Sequence, residues 1–208
     1  MTITTPWRRR LAVLGAGAAI ALVPVAAHAA TVITISYDAV GTSKIAKTNS
    51  TIALGPTTLT TNLDVETGDF TGSLPLPGTS TSFTAAGFLP VKANVDLIEA
   101  APLKGNINLS GDNAEVSSTA SYYVKLSNIK VFGFPTFAGS KCKTKVPVSI
   151  PVGTRPGEGF DLSAGGRLVG TYTIGNFENC GINTPLINAL VPGPGNTVDI
   201  QVTNGVFQ

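Results

Sequence analysis

Apolar residues recur at every second position along most of this chain, and that period builds strands rather than helices. Ile33, Ile35 and Tyr37 alternate with Thr34 and Ser36, and Val91, Ala93, Val95 and Leu97 alternate with Lys92, Asn94 and Asp96. Leu59, Leu63 and Val65 share one parity, as do Phe70, Leu74 and Leu76 after a turn at 66–69. A long run of Val116, Ala120, Tyr122, Val124 and Leu126 follows a turn at 110–113. Val146, Val148 and Ile150 come next, then Leu168, Tyr172 and Ile174, then Val198, Ile200 and Val202. Each pattern puts one face in a core and the other in water. Pro and Gly at 77–78, 90, 135, 147, 151, 156–158 and 192–195 are expected to limit strand length. One short helix is expected, with Thr184 as N-cap and Pro185 at its first position. Its apolar stripe is Leu186, Ile187, Leu190 and Val191, it stops at Pro192-Gly193-Pro194-Gly195, and it would plug an end of the sheet. Crossover helices for a parallel sheet are missing. The expected fold is all-β, an antiparallel β-sandwich or open barrel with one short C-terminal helix.

A weak internal repeat runs through this pattern. Gly68-x-Phe70-x-Gly72-x-Leu74-x-Leu76 matches Gly166-x-Leu168-x-Gly170-x-Tyr172-x-Ile174, 98 residues later. Gly72 and Gly170 fall on apolar parity, where a missing side chain lets a strand coil tightly or another backbone approach. Gly87-Phe88-Leu89-Pro90 is echoed by Gly133-Phe134-Pro135. An internal duplication and the convergence of hairpin chemistry both account for these echoes.

Residues 1–29 read as an export signal. Arg8, Arg9 and Arg10 supply the charged region, Leu11 to Val25 the apolar region, and Ala27-His28-Ala29 the cleavage site, so processing would leave a single domain, 30–208. The arginine run reads as an ordinary charged region, with twin-arginine export as the alternative. The leader holds the only His (His28), Trp (Trp7) and Met (Met1). It also carries three of the fourteen Lys and Arg, so eleven would face twelve Asp and Glu, and the net charge would fall from +2 to −1. Basicity therefore gives no support to nucleic-acid binding. No later stretch is apolar for long enough to span a membrane. Cys142 and Cys180 enclose 37 residues and suit a disulfide in an oxidising compartment. The cluster Lys141, Lys143 and Lys145 around Cys142 offers a reactive thiol as the alternative.

The leader, the Gly-x-Phe-x-Gly-x-Leu hairpin and the segment Cys180-Gly181-Ile182-Asn183-Thr184-Pro185-Leu186-Ile187-Asn188-Ala189-Leu190, with its Pro-Gly-Pro-Gly-Asn tail, resemble a group of small secreted β-rich proteins of actinobacteria. That group has no established activity. The resemblance implies location and fold and transfers no site.

Catalytic chemistry finds little to work with. Without His28 the chain has no imidazole base or metal ligand, so no metal and no cofactor is expected. Asp64, Glu66 and Asp69 cluster at one turn, and Asp112, Asn113 and Glu115 at another, but neither follows a calcium-loop pattern. Ser127-x-x-Lys130 matches a serine–lysine motif that works on a helix, where the two residues share a face. Here it lies in strand-like sequence, so it is read as chance. A carboxylate-pair hydrolase acting on an extracellular polymer is the competing function. The sequons at Asn49 and Asn108 read as ordinary hairpin residues.

Phe88, Phe132, Phe134 and Phe137 gather around the Gly-Phe-Pro segments. Core filling between two sheets is their expected role, with an apolar ligand patch as the alternative. An outer-membrane barrel conflicts with the bridge and the Pro-rich strands. The expectation is a secreted, non-catalytic β-domain at or near the cell envelope, either structural or binding an apolar or glycan ligand. Its partners would be envelope lipid or glycan.

Overall fold

The computed structural model describes residues 31–85, 87–110 and 113–208. The expected signal at 1–29 and the processed start at Ala30 lie outside these residues, as do Gly111 and Asp112 of the turn expected at 110–113. The described chain is all-β with one short helix. Its strands are β1 (Val32–Ile45), β2 (Ser50–Asp64), β3 (Asp69–Ser73), β4 (Thr79–Ala85), β5 (Leu89–Asn108), β6 (Glu115–Val131), β7 (Phe134–Pro135), β8 (Lys143–Thr144), β9 (Val148–Thr154), β10 (Gly165–Ile174), β11 (Phe177–Glu178) and β12 (Gly193–Phe207). A 3₁₀ turn at Gly181–Asn183 leads into helix α1, Thr184–Leu190.

The strands form one antiparallel sheet that closes on itself. Going round, β1, β2, β3, β5, β6, β9, β10 and β12 each pair with the next, and β12 pairs back onto β1. This is an up-and-down meander barrel of eight strands, an architecture that removes free sheet edges around the ring. In that ring β3 and β10 stand four strands apart. The Gly-x-Phe-x-Gly and Gly-x-Leu-x-Gly segments therefore occupy equivalent stations of the two halves.

Alternation fixes which way the barrel faces. Ile35, Tyr37, Leu59, Leu63, Tyr122, Val148, Leu168, Val198 and Val202 are buried in the lumen. Neighbours such as Thr58, Lys92, Thr119, Ser149 and Thr171 face outward and are exposed. A transmembrane barrel has the reverse pattern, with its apolar set outward. Val65 and Val146, expected on the inner parity, are exposed because both lie in connecting turns just beyond a ladder.

Pro77, Pro147 and Pro156 fall between strands as expected, whereas Pro90 and Pro151 lie inside β5 and β9, and two further prolines also sit inside strands. Pro56 lies within β2 where its register with β1 shifts between Ala39 and Gly41. Pro102 lies within β5 where its register with β6 shifts between Ala101 and Lys104. Both are exposed, so each missing N–H falls at a bulge and no buried ladder bond is lost. β12 likewise begins inside the Pro-Gly-Pro-Gly segment.

β5 and β6, 20 and 17 residues long, outreach the ring. Their lower halves close it against β3 and β9. Their upper halves continue as a wall, with β4 beside β5 and β7 and β8 beside β6. Helix α1 covers the inner side of this wall through Ile187, its buried residue, next to Leu186, Leu190 and Val191. Asn183 occupies the N-cap, one residue before the expected Thr184.

Three buried tyrosines tie the lumen together. Tyr122 Oη donates to the Leu74 carbonyl (2.7 Å), Tyr37 Oη donates to the Leu162 carbonyl (3.0 Å), and Tyr172 Oη shares a 2.7 Å bond with Ser43 Oγ. Burial, aided by Asp161, pushes the Tyr37 phenol up to about 12, and burial also raises Tyr122 and Tyr172. The native state thus holds these protons more tightly than the unfolded chain does. Their contribution to stability is complete below pH about 10, the ordinary phenol value, and is lost as pH climbs through about 12 for Tyr37. Phenolate absorbance should therefore show three of the four tyrosines ionising only together with loss of the β-sheet circular-dichroism signal. Ionisation of all four near pH 10 with the sheet intact would contradict this.

Candidate functional site

Apart from an open groove of about 630 Å³ bordered by Asp69, Lys104 and Thr171, two places could receive a ligand, and their sizes separate them. The lumen holds an apolar cavity of about 90 Å³ lined by residues such as Ile35, Leu59, Tyr122 and Val202. A second cavity, of about 80 Å³, lies under α1. Ile52, Leu97, Val124 and Tyr172 line both. Each is smaller than the roughly 150 Å³ space that accommodates benzene. The interior is a packed barrel core with minor voids, and a lipid or glycan does not fit there.

The other place is the top of the wall. The two-residue loop Phe132-Gly133 joins Val131 to Phe134, which are register partners in the β6–β7 hairpin. Phe88 closes the adjoining β4–β5 turn, its N–H donating to the Ala85 carbonyl (3.2 Å). Since β5 and β6 pair at Val91 and Val131, the turns are neighbours, and the Phe132 N–H donates to the Pro90 carbonyl (3.0 Å). The relative exposures are 72% for Phe88, 59% for Phe132, 75% for Phe134 and 87% for Phe137. Core filling is thus overturned for all four. Phe88, Phe132 and Phe134 share one tip. Phe137 stands on the next segment, where its carbonyl abuts the Gly181 turn, near exposed Ile182.

The tip is built at a conformational cost. Phe132 has φ +52° and Gly133 has φ +81°, the signs of a type I′ hairpin turn. Asn-Gly is the usual choice there, and a bulky side chain at positive φ is disfavoured by ~1 kcal/mol or more. Phe132 is nonetheless 59% exposed, so little burial offsets that cost.

Charge completes the site, and here reading the sequence missed residues. No Asp or Glu occurs between Asp69 and Asp96, or between Glu115 and Glu158, yet Lys92, Lys125, Lys130, Lys141, Lys143 and Lys145 fall in those stretches. Lys125 approaches Asp96 (3.9 Å), and Lys143 Nζ lies 3.9 Å from the Tyr123 ring centre. Lys92 and Lys130 are direct cross-strand partners, and no ion pair among the described residues involves either. With Ser82, Thr84 and Gly133 they line an open groove of about 310 Å³ beneath the aromatic tip. The signal that could have found them was the spacing of carboxylates, not of lysines.

The remaining candidates resolve into structure. Cys142 and Cys180 form the expected disulfide. Asp64 Oδ1 accepts the Glu66 N–H (2.9 Å), and Asp69 Oδ1 accepts from Asn106 Nδ2 (2.8 Å), so that cluster caps its turn. Among the described residues no group of three metal-ligating side chains converges. Asp161 caps its own loop through the Ser163 and Ala164 N–H groups, which holds its carboxyl below the ordinary value. Arg167 grips Asp199 through two hydrogen bonds, lowering that carboxyl too. Ser127 and Lys130 share the outer face after all, since their partners Asn94 and Lys92 are two residues apart. The irregularity at Asn128, φ +48°, shifts the parity that the strand-like sequence suggested.

Scans of family models, of curated proteins and of solved structures find no match to this chain. The functional reading therefore rests on the tip itself.

Proposed function

We propose that this protein is a secreted, non-catalytic β-barrel that docks onto apolar groups of the cell envelope through the tip formed by Phe88, Phe132 and Phe134. The observation that carries the reading is a bulky aromatic held at positive φ on an exposed turn, flanked by two more exposed phenylalanines. A structural component would have no reason to retain that strain. A glycan binder would also need polar groups beside the aromatic faces, whereas the nearest ones, Ser82, Thr84, Lys92 and Lys130, lie in the groove beneath the tip. Asp64 and Asp161 cap turns, Asp199 pairs with Arg167, and Glu99 is held by Ser73 and the Leu74 N–H, which weighs against a hydrolytic pair among them.

Phe132→Asn tests the reading because two effects of opposite sign are expected. Asn tolerates positive φ, so the urea midpoint should rise by an amount worth about 1 kcal/mol. Partition onto lipid vesicles should fall roughly 10- to 100-fold, since a buried Phe contributes roughly 1.5–3 kcal/mol. Greater stability with unchanged vesicle binding would defeat the proposal. Retention by a polysaccharide matrix alone would favour the glycan reading.

A further inference from the structure

Resting on that reading, we infer that the partner is the anionic surface of a lipid bilayer, entered tip-first, with its phosphate headgroups seated in the groove between Lys92 and Lys130. The first argument is charge. Like charges placed directly opposite on paired strands destabilise a sheet. Lys92 and Lys130 are placed in that way, in segments without carboxylates. The nearest carboxylate along β5, Asp96, is engaged by Lys125, and Glu178 pairs across to Lys143 in β8, whereas Asp64, Glu66, Asp69 and Glu115 lie at the opposite end of the barrel. An anion above the lysine pair removes the repulsion, and the hydroxyls of Ser82 and Thr84 line the same groove.

The second argument is depth. Lys130 lies two residues below Phe132, and Lys92 four below Phe88. Two residues of strand span about 7 Å. Apolar side chains at a membrane interface bury to a depth of about 5–10 Å beneath the headgroups. With Phe132 at that depth, Lys130 and its cross-strand partner Lys92 reach the phosphate level. Apolar tip and cationic row are thus stacked in the order that a leaflet presents them. A soluble phosphate compound would use the lysines and leave the phenylalanines idle, and a neutral apolar surface would do the reverse.

Vesicle co-sedimentation decides the matter. The unsubstituted protein and its variants are purified identically, so the apolar stretch Leu11 to Val25, if retained, is common to all. The unsubstituted protein should bind vesicles containing phosphatidylglycerol more tightly than phosphatidylcholine alone, and added salt should erase the difference. Lys92→Gln together with Lys130→Gln should cost roughly 30-fold on the anionic vesicles, about fivefold per lysine, and nothing on the neutral ones. The same variant should melt no lower than the parent, because a repulsive pair has been removed, and this establishes that it is folded. Phe134→Trp should show blue-shifted emission on anionic vesicles, read as a difference from the unsubstituted protein. Equal binding to both vesicle types overturns this inference but leaves the apolar reading standing. Binding to neither removes both. Displacement by inorganic phosphate with no tryptophan shift would make the ligand a free phosphate and also overturn it.

Discussion

Replacing Cys142 and Cys180 together with alanine is expected to cost about 4 kcal/mol of stability, read as a lower urea midpoint. The bond joins residues 38 apart, so in the unfolded chain it closes a loop long enough to remove entropy on that scale. Its position gives a second reason. β11 ends the sheet and pairs only with β8, through Phe177–Thr144 and Glu178–Lys143. The bridge sits just outside those two pairs and supplies what a short ladder cannot. Both sulfurs are fully buried, and the flanking backbone is committed: Leu126 N–H donates to the Cys142 carbonyl (2.9 Å) and Cys180 N–H to Thr184 Oγ1 (3.2 Å). Loss of the bond should therefore free the entry to α1 first. Hydrogen exchange should quicken at Cys180–Ile187 before it quickens in β1 or β12. A double variant within about 1 kcal/mol of the parent would show that hydrogen bonding at β8 and β11 suffices alone.

The legible part of the fold is the part where alternation is carried by apolar side chains. Ile33 to Tyr37 and Val198 to Val202 announce strands because one face is bought by the core and the other is Thr, Ser or charged. β4 is illegible for the opposite reason. Its sequence Thr79 to Ala85 puts Thr81 on the buried parity, so the polar pattern reads as a loop. Prolines mislead in the same way, because Pro90 and Pro151, expected to end strands, lie inside β5 and β9. Closure is a step further removed. Every hairpin pairs with its successor in a sandwich or in a barrel, and only the long-range β12–β1 pairing distinguishes them.

The candidate site divides likewise. The Gly-Phe-Pro echoes point to Phe88 and Phe134, although they are neighbours across β5 and β6 and not equivalent stations of a repeat. Their exposure was hidden because parity fails at a two-residue turn and again at the Asn128 irregularity. The carboxylate-free stretches mark the lysines in the sequence, but that Lys92 faces Lys130 needed register.

Gly170→Ala is expected to destabilise the barrel by about 3 kcal/mol or more, a larger effect than a surface strand position usually gives. A Cβ at Gly170 would overlap the Pro151 carbonyl oxygen and stand 3.2 Å from Val152 Cα. Neither obstacle is a side chain that could swing away. The site is also the least supported joint of the ring, since β9 and β10 share only the pairs Leu168–Thr154 and Val169–Gly153. Pro151 has no N–H to add another bond there. The strands are held by close backbone approach, which is what the glycine on apolar parity suggested. Gly72 repeats the arrangement across the barrel, where a Cβ would overlap the Thr60 carbonyl oxygen. Its strand keeps four pairs with β2, however, so Gly72→Ala should cost less. Gly193→Ala is the control, meeting only Lys47 Cδ at 3.7 Å, and should change stability by no more than about 0.5 kcal/mol. Urea midpoints for the three variants should rank Gly170 below Gly72 below Gly193. If Gly170→Ala melts with Gly193→Ala, the seam has slack that backbone contact of this kind does not allow.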